Sequence, residues 1–65
     1  MTLITKFKSG KVTTIENVDD IDHDHEYTYV YMCDGSIKRC PTRAVKYYIA
    51  RYELGGDILV YPNNE

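Results

Sequence analysis

Tyrosine recurs at Tyr27, Tyr29 and Tyr31, and the pair Asp34-Gly35 follows within three residues. Period two is the repeat of a β-strand, so the three rings stand on one face of a sheet. The Asp-Gly pair then returns the chain as a hairpin. A tyrosine row is either a wall of the core or a contact surface, because the ring is apolar and its hydroxyl is not.

The turn length bears on that choice. With a two-residue turn at Asp34-Gly35, Met32 faces Ile37 and Tyr31 faces Lys38. That pairing makes Val30, Met32 and Ile37 the core and turns the tyrosines outward. With a three-residue turn and a glycine bulge, Tyr31 faces Ile37 and Tyr29 faces Arg39. That pairing is expected to draw the tyrosines toward the core.

Around the tyrosine strand the chain reads as a meander. Residues 2–8 and 11–18 are rich in β-branched side chains and flank Ser9-Gly10, which predicts two strands and a turn. Residues 19–26 read as a polar loop, residues 27–33 as the tyrosine strand and residues 36–40 as its partner. Leu3 and Phe7 lie on one face of the first strand and Ile4 on the other. Apolar side chains on both faces call for a bent or closed sheet, or for a covering layer.

After Pro41 two readings compete. As a helix, Thr42 is an N-cap, Ala44, Val45, Tyr48, Ile49 and Tyr52 form a stripe at helical spacing, and Gly55 is the C-terminal cap. As strands, Tyr48, Ala50, Tyr52 and Leu54 alternate with Ile49, Arg51 and Glu53, and Gly55-Gly56 turns into a strand over 57–61. The tyrosine, valine and isoleucine content favours the sheet. The absence of an acidic residue from the first turn weakens the helix.

The stretch Cys40-Pro41-Thr42-Arg43-Ala44-Val45-Lys46-Tyr47-Tyr48-Ile49 resembles the Pro-Ser/Thr-x-x-Val segment of SH3 domains. There it forms a short 3₁₀ turn leading into the last barrel strand. The chain has no tryptophan, and its first strand lacks the aromatic-acidic motif of the proline-peptide groove. The resemblance therefore implies barrel architecture and not peptide binding. The expected fold is mainly β: a small SH3-like barrel or a strongly bent antiparallel meander of five to six strands. The alternative is α+β, with a four-strand meander, a helix at about 42–53 and a final strand at 57–61.

Sixty-five residues imply one small domain, 1–65, which buries only about 60% of the surface of its unfolded chain. A core of that size supplies roughly 3–5 kcal/mol, and a homodimer is one way to bury more. Cys33 and Cys40 are too few for a disulfide framework and lack zinc-ligand spacing, so they read as reduced thiols of a cytoplasmic protein. No segment reads as a signal peptide or a membrane span. The net charge of −2 disfavours nucleic acid as the main partner.

Charge is unevenly distributed. Glu16, Asp19, Asp20, Asp22, Asp24 and Glu26 occur with no intervening base, and Lys38, Arg39, Arg43, Lys46 and Arg51 with no intervening acid. Two such poles orient a partner or pair between copies, although both also suit plain solvated surface.

The loop holding Asp19, Asp20, Asp22, Asp24 and Glu26 superficially resembles a calcium loop. It has His25 where the strict pattern needs glycine and Tyr31 where it needs glutamate. His23 and His25 lack a third strong ligand placed by the sequence, so no metal and no cofactor are expected. Both histidines are remote in sequence from the thiols and no phosphate loop is present, so the chain reads as non-catalytic.

The candidate contact face is Tyr27, Tyr29, Tyr31, Lys38 and Arg39, with the acidic loop as a second element. Compact acidic chains of this size resemble accessory proteins of phages and mobile elements, some of which bind a host enzyme and inhibit it. The resemblance implies a small protein-interaction module. The alternatives are a single-stranded nucleic-acid-binding barrel, in which bases stack on the tyrosines, and a structural homo-oligomer.

Overall fold

Three hairpins of this chain are closed by the same local geometry. In the computed structural model, which describes residues 1–63, Met32 N–H donates to Ser36 O and Gly35 N–H donates back to Met32 O. Phe7, Gly10 and Lys11 repeat this pattern, as do Tyr52, Gly55 and Gly56. Each is a three-residue loop whose last member is glycine, the bulged form of a hairpin turn. Gly35 has φ +90°, a conformation that an L side chain resists.

The strands are β1 (Thr2–Phe7), β2 (Val12–Ile15), β3 (Val18–His23), β4 (Tyr27–Met32), β5 (Ile37–Pro41), β6 (Val45–Arg51) and β7 (Asp57–Val60). The fold is mainly β, with two antiparallel sheets in the orders β2-β1-β6-β7 and β3-β4-β5. The chain passes from one sheet to the other at Asn17, whose φ is +59°. Met1 and Val18 join that corner by reciprocal backbone bonds of 2.7 and 3.0 Å.

The two inner faces meet over Leu3, Val45 and Tyr48 from one sheet and Val18 and Val30 from the other. Full burial of each such side chain contributes about 1.5–3 kcal/mol. Between the facing layers lies one buried polar pair, Thr28 and Thr42.

Several expectations are corrected. The sheets pack face to face and are not closed into a barrel. Among the described residues seven strands stand in place of five to six, because the acidic segment is not a loop: Val18–His23 is β3. The second strand ends at Ile15, short of residue 18. The helix at 42–53 is absent; Thr42–Ala44 forms one 3₁₀ turn and the chain enters β6 directly.

The false helical stripe has a physical origin. Val45 and Tyr48 are both buried though three residues apart. The register passes from Lys6↔Tyr47 to Phe7↔Val45, leaving Lys46 as an extra residue. A bulge of this kind shifts the parity of a strand, so core residues fall at helical spacing without a helix.

Candidate functional site: the outer face of the three-stranded sheet

Strand β4 places Thr28, Val30 and Met32 toward the core and Tyr27, Tyr29 and Tyr31 away from it, with Thr28 and Val30 buried. The register is Tyr31↔Ile37 and Tyr29↔Arg39, that of the three-residue turn. The tyrosines nevertheless face outward, contrary to the expectation attached to that register. Pairing fixes which residues share a face, but the packing partner decides which face is inside. Here the Thr28–Thr42 bond and the Val30 contact hold the even-numbered residues inward.

The rings form one row. The Tyr27 and Tyr29 centroids are 6.0 Å apart, and those of Tyr29 and Tyr31 are 6.5 Å apart with planes inclined by 29°. Arg39 reaches diagonally, its guanidinium carbon 4.5 Å from the centroid of the Tyr27 ring. That is cation–π distance, and it holds a long side chain flat on the face.

Strand β3 brings acids to the same face. Val18 pairs with Met32 on the inner side, and a bulge at Asp19 shifts the register so that Asp20 pairs with Tyr31 and Asp22 with Tyr29. Strict alternation from Val18 would send Asp20 and Asp22 into the core. The one-residue bulge turns both carboxylates out and returns Ile21 inward. The spacing Val18-x-x-Ile21 was the available sequence signal.

The face therefore has ordered rows across three strands. One runs Asp22, Tyr29, Arg39 and the next Asp20, Tyr31, Ile37; Tyr27 stands opposite Pro41. Ile37, 60% exposed, and Pro41 belong to this surface, and the sequence reading missed both. Lys38 does not: it pairs with Val30 and borders a cleft of about 280 Å³ between β2 and β5, beside Phe7, Ile15 and Cys40.

At the Tyr27 end the turn His25-Glu26 is set by Asp24, whose Oδ1 accepts the Glu26 and Tyr27 N–H groups at 2.8 Å each. The Tyr27 bond, then the Glu26 bond, hold the Asp24 carboxyl below the usual carboxylate range. A hollow of about 280 Å³ opens beside this turn between Glu26, Tyr27 and Arg43.

His23 points toward the other sheet, where its Nδ1 lies 3.0 Å from Tyr48 Oη. Burial, followed by the nearby Asp22 charge, pushes the Tyr48 phenol up. Among the described residues no group of three or more His, Cys, Asp or Glu is placed to hold a metal ion. Cys33 is exposed in its turn, while burial raises the thiol of Cys40. Among the described residues no helix is long and apolar enough to cross a membrane.

No protein-family model, curated protein or solved structure matches this chain.

Proposed function

We propose that this chain is a small non-catalytic protein-interaction module whose contact face is the outer side of β3, β4 and β5. The observation that carries the reading is the order across that face: carboxylates on β3, a tyrosine row on β4, and Arg39 with Ile37 on β5. Tyrosine offers broad contact area at low entropic cost, and Arg39 is already held against Tyr27. The charge on either side of the row gives a partner one preferred orientation.

A protein suits this face better than a nucleic-acid strand. Asp20 and Asp22 stand directly opposite Tyr31 and Tyr29, within about 4.5–5.5 Å at Cβ. A phosphate backbone following the rings would run beside both carboxylates, with Arg39 as the one cation in these rows. The complementary partner carries basic side chains over β3 and an apolar or hydroxyl-bearing centre over the rings.

Chemistry at the thiols or histidines has little support. Tyr48 occupies Nδ1 of His23, and the Cys40 thiol is held protonated by burial. The likeness to SH3-like barrels adds only the 3₁₀ turn before β6, so no proline-peptide groove is carried over. In its most specific form the module covers a site on a host enzyme, as some accessory proteins of phages and mobile elements do. Asp20 and Asp22 would then stand where that enzyme receives phosphates.

The test is affinity capture with the wild type, Tyr29→Ala and Asp22→Lys, followed by titration of the recovered partner across a salt series. Loss of an anchoring ring is expected to weaken binding by about 2 kcal/mol, or roughly 30-fold. The charge reversal should slow association and flatten the salt dependence. Equal capture by all three proteins overturns the reading. So does tight, salt-sensitive binding of single-stranded oligonucleotide that Tyr29→Ala abolishes.

A further inference from the structure

Among the described residues four strands are sheet edges, and three of them have charges along their length or at both ends. β3 carries Asp19, Asp20 and Asp22; β5 carries Lys38, Arg39 and Pro41; β2 is short and flanked by Lys11 and Glu16. Charged side chains, prolines and short lengths are how edges avoid pairing with other chains. β7, four residues long like β2, begins with Asp57 but has no charge or proline along Ile58, Leu59 and Val60. Ile58 and Leu59 are each 52% exposed although they point to opposite faces.

The hydrogen-bond phase of β7 is fixed by its hairpin. Tyr52 N–H donates to Gly56 O, so Tyr52 and Gly56 form a hydrogen-bonded pair. Bonded pairs then alternate along the ladder, giving Ala50 with Ile58 and Tyr48 with Val60. The N–H and C=O groups of Asp57 and Leu59 consequently point away from β6, toward the open edge.

We propose that β7 pairs antiparallel with β7 of a second copy, about a twofold axis at Leu59, joining the two four-stranded sheets into one. In that register Leu59 opposes Leu59 of the second copy, Ile58 opposes its Val60, and Asp57 opposes its Tyr61. Every opposed pair lies on a common face, as a continuous sheet requires. The outward groups of Asp57 and Leu59 become ladder bonds, and the half-exposed Ile58 gains an apolar neighbour.

The charges favour a second copy as occupant. Asp57, the sole charge on β7, is already paired with Arg51 at 3.2 Å. The symmetric seam thus brings no unpaired charge together. It places the Tyr61 hydroxyl-bearing ring beside that ion pair, and the two Asp57 residues lie four positions apart along the ladder. The seam ends before Pro62. A strand seam of five residues is short of a standard interface of about 800 Å² per partner. The dimer is therefore weak, dissociating near the micromolar range or above.

The test is sedimentation equilibrium from about 1 μM to about 1 mM, spanning the affinities of weak complexes, on wild type, Leu59→Pro and Leu59→Lys. Proline at this position removes only the outward N–H, because Leu59 makes no ladder bond to β6. Circular dichroism and thermal melting report whether each variant keeps its fold, and Leu59→Lys serves if the proline variant does not. The wild type is expected to move from monomer to dimer mass, with amide exchange at Asp57 and Leu59 slowing as concentration rises. The folded variants are expected to stay monomeric. A wild type that remains monomeric throughout overturns the proposal, as does a dimer that survives Leu59→Lys. Concentration-dependent protection confined to β2, β3 or β5 also overturns it. The β7 edge and the tyrosine face belong to different sheets, so failure of either leaves the other standing.

Discussion

The Thr28 and Thr42 hydroxyls meet at 3.0 Å between the β4 strand and the 3₁₀ turn, with 2% and 1% of their surfaces exposed. Each is the other's hydrogen-bond partner in the interior. Through this pair the turn that delivers β6 is tied to the strand that carries the tyrosine row. Replacing Thr42 by Val leaves the Thr28 hydroxyl unpaired and is expected to cost about 1–3 kcal/mol. Thr28→Val should cost a similar amount. The double variant Thr28→Val/Thr42→Val should regain part of the loss, since two apolar groups of the same shape need no partner. Urea melts of all four proteins give the coupling energy, and simple additivity would refute the shared bond.

Gly35 closes the β4–β5 hairpin at φ +90°, and a Cβ built there meets no atom within 4 Å. Any penalty for Gly35→Ala is therefore backbone strain, about 1–2 kcal/mol. A synthetic chain with D-alanine at the same position should match or exceed the wild-type melting temperature. Equal destabilisation by both enantiomers would indicate a steric cause instead.

Two carboxyls and one phenol are shifted in directions that make stability depend on pH. The Tyr27 and Glu26 N–H groups lower Asp24, and the Ser36 hydroxyl, followed by its N–H, lowers Asp34. A carboxyl lowered on folding contributes stability that is present above its unfolded pKa of about 3.9 and lost as pH falls through the folded value. Tyr48 is raised, chiefly by burial; its contribution is present up to about pH 10 and lost above it. Asp24→Asn/Asp34→Asn should flatten the acid limb of a stability–pH curve, and Tyr48→Phe the alkaline limb. Unchanged limbs would show that other groups dominate.

The thiols should separate kinetically. Cys33 lies exposed in the β4–β5 turn, whereas Cys40 is half-buried with its thiol raised by desolvation. A thiol reagent near pH 8 is expected to label the protein in two phases. Cys33→Ser should remove the fast phase. Loss of the slow phase instead would reverse the assignment.

Local chemistry was legible in the sequence. The alternation of Tyr27, Tyr29 and Tyr31 identified a strand, and Gly10 and Gly35 marked turns, while Gly55 read equally as a helix cap or a turn. The Pro41-Thr42 step correctly preceded a 3₁₀ turn leading into a strand. The acidic segment was misread because its composition suits a loop. It equally suits an edge strand, where charges block unwanted pairing. The candidate site was read in part: Arg39 joins the tyrosines, Lys38 does not, and Ile37 and Pro41 went unrecognised.

The sequence by itself determined the periodicity of the tyrosine strand, the turns at Gly10 and Gly35 and the two charge runs, because these depend on neighbours two to four residues apart. Tertiary structure alone decided which face of each strand is buried. Strand pairing is indifferent to inside and outside until a second layer packs on one side. Here that layer is Leu3, Val45 and Tyr48, with Thr42 bonded to Thr28. The bulges at Asp19 and Lys46 then reset the parity of β3 and β6 to fit it. A single inserted residue moves every following side chain to the other face. Core packing therefore turned Asp20, Asp22 and the tyrosine row outward together.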